Sequence, residues 1–292
     1  MSWILIKFQM VIVDCLDCLR INISTWILLC IFLLWLPTQC FSIETDQEQS
    51  EKKVLLLYSH GREIPAHDLV YDGIKNIFDN NNRFTIKIHT QYLDLSRFSD
   101  IYYRDALANL LQIKYHDFGI DLIIAVDKPA VDFLERYSER ILPRVSIVFC
   151  AVLKSYAEHL KHSSLRDHIT GVVMPENADD VIKIALALRP STRRIFIVAG
   201  SSETDKYREA VVLNALEKYA DTIEITRLSG LRFQDIANIL AQASSDSVIF
   251  FASFFVDGSG KSFVPREALR QFSVVTKVPI FGISESHLGY GI

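Results

Sequence analysis

From residue 54 to the end of this 292-residue chain, short apolar runs alternate with amphipathic stretches. Val54-Leu-Leu-Leu-Tyr-Ser59 is apolar at nearly every position, as in a strand covered by helices on both faces. Asp68–Phe78 follows with Leu69, Ile74, Ile77 and Phe78 on one helical face. Phe84–Leu93 reads as a strand, and Ile101–Tyr115 as a helix turning Leu107, Leu110 and Leu111 inward. Asp121–Val126 is a second buried strand, a helix begins at Pro129, which suits a first turn, and Arg144–Cys150 is the fourth strand. Residues 153–170 are rich in Lys, His, Ser and Glu without a clear period, and read as a connector. The pattern then restarts with strands at Thr170–Met174, Arg194–Ala199, Ile223–Leu228, Ser247–Ala252 and Pro279–Gly282. Helices at Ala178–Leu188, Thr204–Tyr219, Phe233–Ala243 and Pro265–Thr276 separate them. Strands and helices alternating in this way form right-handed crossovers and parallel sheets. The expected fold is α/β: two Rossmann-like lobes with parallel sheets, residues 53–152 and 171–292, on either side of the connector. Ligands of such sheets gather beyond the carboxyl ends of the strands.

Residues 1–42 have a different character. Trp26–Leu36 is apolar, Arg20 precedes it, and Pro37–Cys40 lead out to the polar stretch Glu44–Lys53. A basic flank, an apolar centre and a polar exit describe a signal peptide or a membrane anchor. The run is shorter than the ~20 residues of a full span, though Ile21–Phe41 would suffice. The expected location of the body is therefore periplasmic or otherwise extracytoplasmic, with the membrane as a partner through an N-terminal hydrophobic helix. Half the residues are hydrophobic, enough for a sizeable core. The net charge is −4, and Lys and Arg are scattered, so the basic stripe of a nucleic-acid binder is missing. Of five cysteines only Cys150 lies in the body, which leaves no internal disulfide there.

Gly258-Ser-Gly-Lys-Ser262 ends like a phosphate loop, but Phe255 stands where the pattern requires its first glycine. A tight turn carried by Asp257 and Gly258 is the plainer reading, and no cofactor is expected. His60 and His67 flank the first loop, but spacing within one loop does not make a metal site. Arg62 has the fork geometry for a ligand carboxylate, or is a solvated loop residue. Asp127 either accepts a ligand amine or caps the following helix. Phe254 and Phe255 offer an aromatic wall or pack in the core, and Glu285 lies past the last strand, where a cleft-facing carboxylate would sit. No Gly-x-Ser-x-Gly elbow is present. The candidate ligand-binding residues are His60, Arg62, Asp127, Phe254 and Glu285.

Three segments carry a resemblance: residues 54–65, Val-Leu-Leu-Leu-Tyr-Ser-His-Gly-Arg-Glu-Ile-Pro; residues 254–260, Phe-Phe-Val-Asp-Gly-Ser-Gly; and residues 278–292, ending Gly-Tyr-Gly-Ile. Together the body resembles the ABC-transporter substrate-binding-like family, which is periplasmic-binding-protein-like and is found in sensor regions of bacterial membrane histidine kinases. The resemblance implies a type I periplasmic-binding fold that closes on a small-molecule ligand without catalysis. It also implies a histidine kinase or an ABC permease as partner, according to whether the role is sensing or uptake. Family members continue past the Gly-Tyr-Gly-Ile stretch, so the expectation is of a C-terminally incomplete second lobe. The alternative of another class is a doubly wound α/β enzyme.

Overall fold

The computed structural model describes residues 50–292. The N-terminal hydrophobic segment, read as a signal peptide or anchor, lies outside them. Among the described residues no helix is long and apolar enough to cross a membrane.

Among the described residues nine strands form two sheets, and every pairing between the named strands is parallel. In the first, β1 (Glu51–Tyr58), β2 (Thr85–Tyr92), β3 (Leu122–Val126), β4 (Ser146–Leu153) and β5 (Ile169–Met174) lie in the order β2-β1-β3-β4-β5. The helices α1 (Ala66–Asp79), α2 (Ile101–Tyr115), α3 (Lys128–Ile141) and α4 (Lys154–Leu160) connect them. In the second, β6 (Arg194–Ala199), β7 (Glu224–Arg227), β8 (Ser247–Ser253) and β9 (Ile280–Gly282) run β7-β6-β8-β9. Its helices are α5 (Ala178–Leu188), α6 (Glu203–Leu216), α7 (Phe233–Ala241) and α8 (Pro265–Val275). The central strands are apolar because both faces are covered: Leu55 and Leu57 of β1 face one buried cluster while Val54, Leu56 and Tyr58 face another. β8 is buried along its whole length.

Four sequence expectations change. Thr170–Met174, expected to open the second lobe, is instead the outer strand of the first sheet, paired with β4. The connector preceding it contains α4, whose Tyr156 and Leu160 bury against the first core, so the segment is an ordinary strand–helix–strand crossover. Most of its polar residues face solvent, and the buried anchors of α4, only two and four residues apart, are too few to declare a period. Leu110 is exposed: Leu107, Ala108, Leu111 and Tyr115 already fill the inward stripe of α2, and Leu110 falls about 100° off Leu111. Leu69 and Ile77 of α1 are likewise exposed, whereas Val70, Tyr71, Ile74 and Phe78 carry its packing.

Among the described residues the chain crosses between the two sheets once, through Pro175–Asn177 from β5 to α5.

Candidate functional site

The carboxyl ends of strands from both sheets converge on one cleft, a cavity of about 220 Å³. The first lobe contributes His60, Val126, Asp127 and Met174, with Ile64, His67 and Val70 from the β1–α1 region. The second contributes Arg208, Ser253, Phe255, Val264, Arg266, Ser284, Ser286 and His287.

Asp127 organises the first-lobe side. It follows β3 and caps α3, its carboxylate accepting from the Lys128 amide at 2.7 Å. Ser59 at the end of β1 fixes this corner by donating to the Val126 carbonyl at 2.7 Å and accepting from the Ala130 amide at 2.8 Å. The Asp127 backbone has φ 72° and ψ 159°, a region that non-glycine residues occupy at a cost of about 1–3 kcal/mol and mostly where a site requires it. A second strained residue, Ala151 at φ 59°, also lines the cleft. It sits where β4 carries one residue more than β5 between Phe149 and Val152, a bulge that turns the strand end.

His60 is buried, and its Nε2 lies 3.2 Å from Asp127 Oδ2. A carboxylate only accepts, so Nε2–H donates, and Nδ1 hydrogen-bonds with the Ser96 hydroxyl. The imidazole stacks on Phe255 of the second lobe with ring centroids 4.2 Å apart. Arg208, from α6, reaches the same Asp127 oxygen at 3.3 Å. Burial acts to raise the Asp127 carboxyl, but the His60 hydrogen bond and the Arg208 charge outweigh it and hold the group well below the usual carboxylate range. Burial, with His60 beside it, lowers His67 to about 4, and burial with the Arg208 charge lowers His287 to about 4. Cys150, whose carbonyl accepts the Asp127 amide, has its thiol pushed up to about 11 by burial and the Asp127 charge.

The second-lobe side is held by Asp205. Ser202 and Asp205 form a capping box at the start of α6, and the wholly buried carboxylate also accepts from the Phe255 amide at 3.0 Å and the Val256 amide at 3.3 Å. It also accepts from the Ser253 hydroxyl. Phe255 and Ser253 are thereby aimed at the cleft.

Of the five residues proposed from sequence, His60 and Asp127 meet in the cleft. Phe254 is fully buried among Phe233, Phe263 and Phe272 in the second core, and its neighbour Phe255 is the aromatic wall. Arg62 and Glu285 are exposed and do not line the cleft, although Ser284, Ser286 and His287 beside Glu285 do. Arg208, Arg266 and His287 had not been singled out. A helical arginine carries no motif, and His287 occupies a three-residue 3₁₀ turn that only tertiary structure points inward.

Two other readings of these residues meet the geometry. Ser96, His60 and Asp127 are in hydrogen-bonded series, the composition of a hydrolytic triad. Ser96 faces a separate pocket of about 10 Å³, too small to admit a substrate. In the glycine-containing loop the Asp257 carboxylate takes the amides of Ser259 and Lys261 at 2.8 and 3.0 Å, and that of Phe233 at 3.1 Å. Donors that a phosphate would use are committed to the chain's own side chain, and a Cβ on Gly258 would lie 2.0 Å from the Gly230 carbonyl. Among the described residues no cluster of His, Cys, Asp and Glu is arranged to hold a metal ion.

No protein-family model matches the sequence, and none of the curated proteins does. Solved structures do match. An ABC domain in complex with L-Trp from Streptococcus pneumonia aligns at a TM-score of 0.57 and 16% identity, over 82% of this chain and 76% of that one. A substrate-binding periplasmic protein from Ralstonia solanacearum aligns at 0.55 and 14%, over 79% of this chain and 63% of that one. A ligand-free, open substrate-binding protein with adhesive properties from Clostridium difficile aligns at 0.51 and 16%, over 81% and 76%. The second and third of these neighbours are substrate-binding proteins and the first is a domain with L-Trp bound, and the two parallel-sheet lobes have the type I periplasmic binding protein fold.

Proposed function

We propose that this chain is an extracytoplasmic solute-binding module whose two lobes close on a small molecule without chemically changing it. One observation carries the reading: the strand ends of both sheets line a single cavity, and Arg208 of one lobe bonds there the same Asp127 oxygen of the other lobe that His60 holds. A solute bound between such lobes stabilises the closed arrangement by whatever affinity it has for both together over either alone. The neighbours' binding of solutes supports the same reading by analogy of fold.

Within it, we assign the chain to ligand sensing in a bacterial signalling protein. That assignment rests on the resemblance of residues 54–65, 254–260 and 278–292 to sensor regions of histidine kinases. The N-terminal apolar segment would tether the module, and closure would be read by the kinase. In the uptake alternative an ABC permease would read the same closure. A kinase gene or module adjoining the coding sequence supports sensing, and adjoining permease and ATPase genes support uptake.

The test of the binding reading is a thermal-shift screen of the purified chain against amino acids, organic acids, sugars and amides, followed by small-angle scattering with and without each hit. A saturating ligand at 100 times its Kd stabilises by about 2.7 kcal/mol, an upward shift in Tm that is easily measured. A hit that also lowers the radius of gyration supports closure on a solute. A chain that neither shifts nor contracts with any compound, or that turns one over, rejects the reading.

A further inference from the structure

The cleft has a charge and hydrogen-bonding balance that selects among solutes, an inference that rests on the solute-binding reading above. Among the described residues that line it the only acid is Asp127, whose carboxylate is already engaged by His60, Arg208 and the Lys128 amide. Glu176 lies outside this lining, exposed in the adjoining groove, where its Oε1 accepts from the Ser155 amide at 2.7 Å. An ammonium group entering the cleft therefore meets no uncommitted carboxylate among the described residues that line it.

Cationic and donor groups are in surplus. Two guanidinium groups, Arg208 and Arg266, line the cavity against that one carboxylate. Arg266 Nε is buried without a hydrogen-bond partner: Glu267 pairs with it by charge at 3.7 Å, beyond hydrogen-bond reach, and the Tyr290 ring lies against the guanidinium. His67 from the first lobe and His287 from the second are 4% and 2% exposed and line the same cavity. Neither imidazole hydrogen-bonds to any described residue, and Nδ1 of each is buried and unsatisfied. A buried polar group left without a partner is costly, and a ligand supplying the partner removes that cost. Around these groups the wall is apolar, from Ile64, Val70, Val126, Met174, Val264 and Phe255.

We propose that the cleft selects a small organic monocarboxylate with an apolar body and no ammonium group, its carboxylate taken by Arg266 with the imidazole N–H groups of His67 and His287. Guanidinium is the natural partner because its parallel N–H donors match both carboxylate oxygens. A cavity of about 220 Å³ is smaller than the roughly 300 Å³ at which drug-sized pockets begin, which limits the body to about one ring or one branched chain.

The test uses the purified full chain and matched series sharing one body: 3-phenylpropionate, phenylalanine, phenethylamine and 3-phenylpropionamide, then 4-methylpentanoate against leucine. Calorimetric titration should give the acid of at least one series at least tenfold tighter binding than its amino acid, amide or amine. Arg266→Gln should weaken that acid tenfold or more while leaving its rank over the amide reduced or abolished, and Arg266→Lys should recover part of the loss. Should Arg266→Gln fail to fold, the ranking in the unmodified chain decides alone. An amino acid or amine binding as tightly as its matched acid overturns the proposal and leaves the solute-binding reading standing. No binding by either series also overturns it, and the broader screen of sugars and amides then decides the solute-binding reading separately.

Discussion

Arg208 of the second lobe and Asp127 of the first form an ion pair across the cleft, 3.3 Å from Nη2 to Oδ2. The Asp127 side chain is only 12% exposed, and it sits at a strained backbone position while also holding His60. One carboxylate thus joins the start of α3, the wall of the cleft and the contact between lobes.

Replacing Arg208 with Gln removes the cross-lobe charge and leaves Asp127 with His60 and the Lys128 amide. Hydrogen bonds to charged groups contribute roughly 1.5–3 kcal/mol, so a loss of about 2 kcal/mol in unfolding free energy is expected. Small-angle scattering should also show a larger radius of gyration, as the lobes part. An unchanged profile would mean that the pair does not hold the lobes together.

Acid should destabilise the protein in a defined window. His67 and His287 titrate at about 4 in the folded chain, against about 6.5 when unfolded. Between those values the unfolded chain binds more protons, so stability rises with pH there and is lost as pH falls from about 6.5 to about 4. Each group contributes a slope of up to about 1.4 kcal/mol per pH unit. The charged or titratable groups acting on them are His60 and Asp127 for His67, and Arg208 for His287. Urea melts across pH 4–7 measure the slope, and His67→Phe with His287→Phe should flatten it.

Asp257→Ala should cost about 3 kcal/mol, because the amides of Phe233, Ser259 and Lys261 lose their acceptor together. The same geometry predicts that the unmodified chain gives no heat with ATP and magnesium at millimolar concentration. A measurable affinity would show that the loop can release its own carboxylate.

A fluorophosphonate probe should leave Ser96 unlabelled under conditions that label a serine hydrolase to completion. Its hydroxyl is bonded to His60 but opens on a pocket of about 10 Å³, and mass spectrometry of the labelled chain reads the outcome. Stoichiometric labelling would revive the enzyme alternative.

Much of the architecture was legible because a strand buried on both faces has to be apolar throughout, as Val54–Leu57 and Val248–Phe251 are. Sheet membership was not legible for β5: nothing in Ile169–Met174 says which neighbour it pairs with, and the strand is largely exposed, as an edge can be. The cleft was half legible. His60 and Asp127 follow strand ends, where parallel sheets gather ligands, so position alone marked them. Phe254 and Phe255 could not be told apart by type, since which one turns inward depends on how Asp205 grips the backbone after β8. Arg208 and His287 reach the site from elements far away in sequence, and no local pattern encodes that meeting.

The stretch Pro175–Asn177, where the chain passes from one sheet to the other, has mechanical consequences. Two bodies tied by one strap can swivel as well as hinge, and the strap alone selects neither motion. Within the described residues the steering falls to side-chain contacts between the lobes, among them the His60–Phe255 stack, the Arg208–Asp127 and Arg104–Glu203 pairs, and Tyr207, which packs against the first core beside Lys128. A cut at the strap would leave halves that part or stay together according to such contacts.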